Sequence, residues 1–297
     1  MKKIVIYANC QGGALIKTLE ENPQFLEKFS YIKVPPVQLI KSKEQIDHLV
    51  SSIKATDVLI YQHIQGDNFH NDIKTNSLLK HLKPNAIQIS FPSLYFDAYF
   101  PHLGIMTGLT GPLNLVHDFI IAYCFTKGLS SNDILSIIQN EKLYPKKFSL
   151  NTTLATIEAI KQRENNNECD IKITNFIQEN FNKEKLFNQF NHPKKSVFKY
   201  IASKIFKIIG INIDSFVFSE KGHLDVISTP IYKSTHTNLD LGFDEDFDLY
   251  HGLEGPLNQN EVVTKFCSLY KEKGTEFVIH EVNTKKPFVK NLVDSLL

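Results

Sequence analysis

KIVIYANCQGGAL, residues 3–15, is the stretch whose reading decides the fold. Its first part, KIVIYA (3–8), is continuously apolar and β-branched, and too short for a buried helix, so it reads as a strand covered on both faces. The residues that follow, 12–21, place Ala14, Leu15, Thr18 and Leu19 at helical spacing. A buried strand that passes through a glycine pair into a helix is the opening unit of a parallel α/β protein. The pattern repeats outward. SYIKV (30–34) is a short strand stopped by Pro35 and Pro36, and 43–54 is a helix with Ile46, Leu49, Val50 and Ile53 on one face. DVLIYQ (57–62) is a second strong strand, 73–83 a helix, and AIQISF (86–91) a further strand closed by Pro92. Strands and helices alternating at this pace predict a parallel sheet with flanking helices, Rossmann-like in class.

The middle of the chain reads as helical. Leu113 to Thr126 is a long apolar stretch carrying Asn114 and His117, and Ser130 to Gln139 opens on capping residues. Helices are expected over 151–163 and 171–182, with the polar RENNNECD (163–170) as an exposed loop between them. After Asn191-His192-Pro193 a basic amphipathic helix runs over 194–209 to Gly210. Residues 211–255 are irregular, and helices over 259–272 and 286–296 close the chain. Residues 1–210 are therefore expected as one α/β region that includes the helical segment, with 211–297 as an extension packed on the same domain.

Charge narrows the function classes. Lys and Arg number 33 and Asp and Glu 32, a formal net charge of +1, which gives no case for nucleic-acid binding. No apolar run approaches the roughly 20 residues that span a bilayer. Met-Lys-Lys passes straight into the first strand, without the features of a signal peptide, which points to the cytoplasm. Cys10, Cys124, Cys169 and Cys267 form no metal-ligand spacing and are expected as free thiols, with no metal. The acidic run Asp244, Glu245, Asp246, Asp248 has Leu249 and Gly255 where a calcium loop needs Gly and Glu, so it reads as a solvated loop.

Cys10 is the strongest chemical signal. Ligands of open α/β sheets bind at the carboxyl ends of strands, where Cys10 sits, facing a helix N-terminus. Helix N–H groups there can lower a thiol pKa and stabilise an oxyanion, and Gly12 and Gly13 let a ligand approach the backbone. The bland alternative is a small thiol buried at a tight turn. The loop lacks both the dinucleotide fingerprint and the P-loop pattern. A thiol nucleophile needs a base. His192 is the first candidate, since Pro193 fixes the backbone beside it; His117, next to Asp118, is the second. Helix 194–209, with Lys194, Lys195, Lys199, Lys204 and Lys207, suits either weak contact with an anionic membrane surface or phosphorylated cofactor, or simple core packing with a solvated lysine face.

These pieces together resemble the WcbI-type family of bacterial polysaccharide biosynthesis enzymes, first associated with capsule assembly. YANCQGGAL (7–15) resembles its opening Gly-Asn-Cys-Gln segment, with Ala8 in the Gly place. DVLIYQHI (57–64) resembles its second strand, ending near Gln62, and ISFPSLYFDAYFPHLG (89–104) a Pro- and aromatic-rich segment that includes Tyr95. GPLNLVHDFIIAYCFTKGLS (111–130) and FNHP (190–193) resemble two later segments. The resemblance implies a CoA-dependent acyltransferase, acetyl by preference, acting on a capsular or other surface polysaccharide or its precursor, with acetyl-CoA as donor. It also implies a distant relation to SGNH hydrolases, with Cys10 as nucleophile and His192 as the late histidine. Gln189 stands three residues before His192 where those hydrolases have Asp, and His117 or a distant acid is left to share that role. Asn9, Gln11, Gly12, Gly13, Gln62 and Tyr95 are the implied oxyanion and substrate residues. The alternatives are a glycan esterase of the same fold and a non-catalytic binding protein of a glycan assembly locus.

Overall fold

The computed structural model describes residues 1–67 and 69–297. Four parallel strands, β1 (Lys2–Tyr7), β2 (Phe29–Tyr31), β3 (Val58–Tyr61) and β4 (Ile87–Ser90), form the main sheet in the order β2-β1-β3-β4. Ile4 to Tyr7 of β1 pair with Val58 to Tyr61 of β3, which pair in turn with Ile87 to Ser90 of β4. The uninterrupted apolar runs of the sequence are explained by this: every side chain of β3 is buried, as a parallel strand covered on both faces requires. On one face Val5, Tyr7, Leu59 and Tyr61 pack with Leu49 and Ile53 of α3 (Lys43–Ala55). On α1 (Cys10–Leu19), Ala14, Leu15, Thr18 and Leu19 are buried, and the helix packs against α9 (Lys195–Ile209), which ends in the left-handed Gly210. The short helices α2 (Pro23–Lys28) and α4 (Thr75–Leu79) complete the connections.

Contacts divide the chain into two compact units, each assembled from separate stretches. The first holds Met1–Leu94, Ile157–Glu179 and Pro193–Leu224; the second holds Tyr95–Thr156, Asn180–His192 and Asp225–Leu297. The second unit carries a hairpin of β5 (Leu103–Ile105) and β6 (Val116–Asp118), then α5 (Phe119–Thr126) and α6 (Ser131–Ile138). The long α7 (Lys146–Asn166) is divided between the units, and α8 (Thr174–Asn180) lies almost wholly in the first. A two-stranded ladder joins β7 (Phe187–Gln189) and β8 (His192–Pro193). The second unit ends with α10 (Lys233–Asn238), the hairpin β9 (Tyr250–Gly252) and β10 (Gly255–Leu257), and α11 (Gln259–Lys273), α12 (Thr275–Lys285) and α13 (Phe288–Asp294), the last three packed on α5.

The parallel sheet with flanking helices is as the sequence predicts, but several local readings need correction. The stretch 113–126 is not one helix. His117 lies on β6, and α5 starts only at Phe119, with Asp118 as its N-cap through bonds from the N–H groups of Ile120 (2.9 Å) and Ile121 (3.1 Å). RENNNECD is not an exposed loop: α7 continues through it to Asn166. Glu164 is buried there because its Oε1 accepts from the N–H groups of Ile173 (2.6 Å) and Thr174 (2.9 Å), at the start of α8. The acidic run is not wholly solvated either, since Glu245 pairs with Lys185 at 2.5 Å and accepts from Ile231 N–H at 3.1 Å. Among the described residues no helix is long and apolar enough to cross a membrane. The apolar stripe of α9 (Val197, Phe198, Ile201, Ile205 and Phe206) is buried, and Lys195 is buried too, paired with Glu21, while Lys204, Lys207 and Ile208 are exposed.

Candidate functional site

The strand order places a topological switch point between β1 and β3. From β1 the chain goes to β2 on one side and then crosses to β3 on the other, so the connections after β1 and β3 leave in opposite directions and open a crevice at their carboxyl ends. Asn9 and Cys10 follow β1, and Gln62 follows β3. Three of the expected residues are joined there by hydrogen bonds. Asn9 caps α1, its Oδ1 accepting from Gln11 N–H at 2.9 Å, while its own N–H donates to Gln62 Oε1 at 3.1 Å. The Gln62 amide group donates to Gln11 Oε1 at 2.8 Å. Gln11 in turn donates to the Leu94 carbonyl at 2.7 Å and accepts from Leu94 N–H at 3.2 Å. Gln11 and Gln62 are both fully buried. Two glutamines thus lock the ends of β1 and β3 to the segment after β4, and each amide is satisfied by another.

Cys10 is a partly exposed free thiol in the first turn of α1. Burial pushes its pKa up, and the backbone N–H groups of Cys10 and Gln11 oppose that without reversing it. The expected lowering by the helix N-terminus is therefore outweighed by desolvation. The glycines also separate. A Cβ on Gly12 would lie 3.0 Å from Ala8 Cβ and 3.2 Å from Ile6 Cγ2, and its N–H is bound to the Asn9 carbonyl at 3.0 Å. Gly12 is small enough for α1 to sit close on β1. Gly13 faces open space.

At the same edge, the sequence reading missed Asp170. Its Oδ2 accepts from Ser90 N–H at 2.7 Å and Ser90 Oγ at 2.8 Å, and Ile171 N–H donates to the Ser90 carbonyl at 3.0 Å, extending the sheet beyond β4. Placed in a polar run, Asp170 carried no periodic signal. The His63 ring, just past Gln62, lies against that of Tyr61 in a tilted arrangement, with centroids 5.1 Å apart.

The two candidate bases belong to the second unit and differ sharply. His117 is fully buried, and both ring nitrogens are occupied, Nδ1 by Tyr270 Oη at 3.1 Å and Nε2 by the Leu109 carbonyl at 3.0 Å. Burial lowers its pKa to about 4. Its neighbour Asp118 turns away to a separate buried cluster, accepting from Tyr232 Oη and lying 3.6 Å from His102 Nε2. His102 stacks on Tyr232 at 4.0 Å and contacts Tyr144 Oη at 3.0 Å, and burial raises the Asp118 carboxyl to about 6. His192 is partly buried. Burial lowers its pKa while a backbone contact with Ile227 favours the charged form. Its Nδ1 is buried without a partner, which assigns the Ile227 contact to Nε2. Tyr95 stacks near Phe190, with ring centroids 6.3 Å apart. Among the described residues no group of three or more His, Cys, Asp or Glu is placed to hold a metal ion.

An open parallel sheet with a cysteine and paired amides at its switch point defines an α/β protein of the class whose ligands bind at the strand ends. The model of the polysaccharide biosynthesis enzyme WcbI matches residues 3–213, and the chain belongs to that family. The fold is similar to a solved structure of WcbI, described as a novel polysaccharide biosynthesis enzyme, in a native form without a disulfide bond between coenzyme A and one of its cysteines. That likeness has a TM-score of 0.85 at 20% identity and covers 99% of this chain and 98% of the other. No functionally curated protein matches the chain.

Proposed function

We propose that this chain is a CoA-dependent acyltransferase that moves an acyl group, acetyl in the first instance, onto a hydroxyl of a surface polysaccharide or its precursor. The observation that carries the reading is a cysteine thiol at the switch point of the sheet, held by the cap of α1 and the Gln11–Gln62 lock. The similar WcbI structure, described as a native form without a disulfide bond between coenzyme A and a cysteine, supports the choice of donor.

In this mechanism His192 takes the Cys10 proton as the sulfur attacks the thioester carbonyl, and it gives that proton to the departing CoA thiolate as the carbon–sulfur bond to CoA breaks. An acceptor hydroxyl then attacks the acyl-cysteine, and His192 takes its proton as Cys10 is released. Burial suits each group to its part. The thiol rests protonated, which limits idle reactivity, and the imidazole rests neutral, the form that accepts a proton. Asn9, with Oδ1 spent on Gln11, keeps its amide N–H group as the oxyanion donor.

Incubation with acetyl-CoA followed by intact mass measurement tests the reading. One acetyl group should appear on Cys10, be absent in Cys10→Ala, and be discharged by a glycan acceptor. Turnover should fall by about 10³-fold or more in Cys10→Ala. His192→Ala should lower the discharge step, and the double variant should be no slower than Cys10→Ala alone, as for residues acting in one sequence. Near-normal turnover in Cys10→Ala would remove the covalent route. Release of acetate without acceptor would point instead to the esterase.

A further inference from the structure

Beyond the Gln11–Gln62 lock, the carboxyl edge of the main sheet carries a second polar group: Tyr61, His63, Ser90 and Asp170, all in the first unit. Tyr61 and Ser90 are partners in register at the ends of β3 and β4. Beyond β4, Ile171 N–H donates to the Ser90 carbonyl at 3.0 Å and Asp170 N–H to Ser90 Oγ at 2.9 Å, so the Asp170 backbone is tied to the strand end. Both bonds from Ser90 to the carboxylate fall on Oδ2, at 2.7 and 2.8 Å. Asp170 is nonetheless exposed, and among the described residues its Oδ1 has no partner. One carboxylate oxygen is thus fixed in place and left facing water. His63 stands near it, just past the end of β3. Its ring is partly exposed; Nε2 is enclosed without a hydrogen-bond partner, whereas Nδ1 remains open. Burial lowers the His63 pKa and the Asp170 charge opposes this, which marks the two as neighbours, yet no hydrogen bond joins them. A histidine and a carboxylate kept only for stability would close on each other. Here each keeps one atom open, at the edge where ligands of open α/β sheets bind.

We propose that Asp170 and His63 form the acceptor subsite and hold neighbouring hydroxyls of a sugar over the ends of β3 and β4, one on Asp170 Oδ1 and the next on His63 Nδ1. An ionised carboxylate only accepts, so it selects a group that brings its own proton, and a hydroxyl bonded to it forms a charge-assisted hydrogen bond. A neutral imidazole nitrogen can accept from, or donate to, the hydroxyl beside it. The same carboxylate repels the phosphates of CoA and so reserves this part of the edge for an uncharged ligand. Two ligating groups are too few to hold a metal ion, and among the described residues no third joins them. His63 directly follows Gln62, whose Oε1 accepts from the N–H of Asn9, the residue before Cys10, so a sugar held here lies alongside the crevice that carries the thiol. The inference rests on the acyltransferase reading for the sugar's part as acceptor, but its binding stands apart from that reading.

The test uses the full chain and a panel of methyl hexopyranosides with their monodeoxy analogues, and binding is read by saturation-transfer NMR. At least one glycoside should bind the wild type. Asp170→Asn keeps one oxygen for both Ser90 bonds and replaces the open oxygen by an NH2 group, so it should fold normally and bind about tenfold more weakly, the loss of a charge-assisted bond. Deleting the hydroxyl that meets Asp170 should cost the wild type about the same and the variant almost nothing. His63→Phe, which keeps a ring against Tyr61, is a second folded variant and should weaken binding about fivefold. The proposal is overturned if no glycoside binds the wild type at millimolar concentration, or if Asp170→Asn binds as tightly as the wild type. It is equally overturned if wild type and Asp170→Asn lose the same affinity with every missing hydroxyl. Binding that depends on Asp170 without any transfer from acetyl-CoA would leave this inference standing and remove the acyltransferase. Transfer with an acceptor KM that is unchanged in Asp170→Asn would do the opposite.

Discussion

The carboxyl edge of the main sheet and the β7–β8 ladder both bury glutamines, and they treat them in opposite ways. At the sheet edge, Gln11 and Gln62 bond to each other, to Asn9 and to Leu94. At the ladder, the Gln189 side chain has no hydrogen-bond partner. The same side chain is finished structure in one place and unspent capacity in the other. The histidines repeat the contrast, with His117 saturated at both nitrogens and His192 at only one. Burial alone therefore does not separate scaffold from site; what matters is whether the buried polar atoms are already answered.

The contrast can be tested where its effect on stability is largest, at His117. Its folded pKa of about 4 lies below the unfolded value of 6.5, so the unfolded chain binds the proton first. Its contribution is complete above pH 6.5 and is lost as the pH falls to about 4, by about 3 kcal/mol at most. Asp118 works against this trend, since a carboxyl raised to about 6 loses stability as pH rises from 3.8 to 6. Urea denaturation of wild type and His117→Gln across pH 4 to 7 isolates the first effect: the variant should show the flatter rise of stability with pH. An unchanged slope would mean that His117 is not the closed residue its bonds indicate.

A smaller effect is expected at the lock. Gln62→Leu strips Asn9 N–H of its acceptor and Gln11 Oε1 of one donor, and should destabilise by about 2 kcal/mol in denaturant titration. Gln189→Leu, the same substitution at the ladder, should not destabilise at all. Equal losses at both positions would erase the distinction between the two regions. The smallest effect lies on α1. Gly12→Ala forces a Cβ against Ala8 and should cost about 1 kcal/mol even after its helix-propensity gain, whereas Gly13→Ala meets open space and should stabilise by about 0.5–1 kcal/mol. Chemical denaturation resolves the opposite signs.

Much of the first unit is legible in sequence because its strands are buried on both faces and its helices announce their ends. β1 and β3 carry unbroken apolar runs, Ile4 to Tyr7 and Val58 to Tyr61, and β4 alternates through Ile87 and Ile89; Ser130 and Asp133 form a capping box in the second unit; and Gly210 stops α9. The illegible parts depend on distant partners. Strands of three residues, such as β6 and β7, are too short to show an alternation. Within 113–126 apolar residues flank Asp118 on both sides, and the five residues before it are too few to show a strand period. Helix α12 escapes notice because its apolar face is narrow, with only Val278, Glu281 and Val282 buried. RENNN looks like a loop until Glu164 is seen meeting α8. Position explains why Cys10 and Gln62 are recognisable: each directly follows a strand. Their neighbours' roles are less visible. Nothing local shows that Gly12 packs α1 on β1, and Gln189 shows only as a residue standing where another was expected.

The interleaving of the two units has a consequence for how the protein is made. Helix α1 is complete at Leu19, but α9, which covers part of its buried face, ends at Ile209. On a ribosome adding about 5–20 residues per second, the first unit waits roughly ten to forty seconds for its last helix. Throughout that interval Ala14, Leu15 and Leu19 are incompletely covered on a nascent chain whose parallel strands are already present. The order of the segments therefore makes the newborn chain, rather than the finished protein, the form most dependent on a chaperone that shields apolar surface.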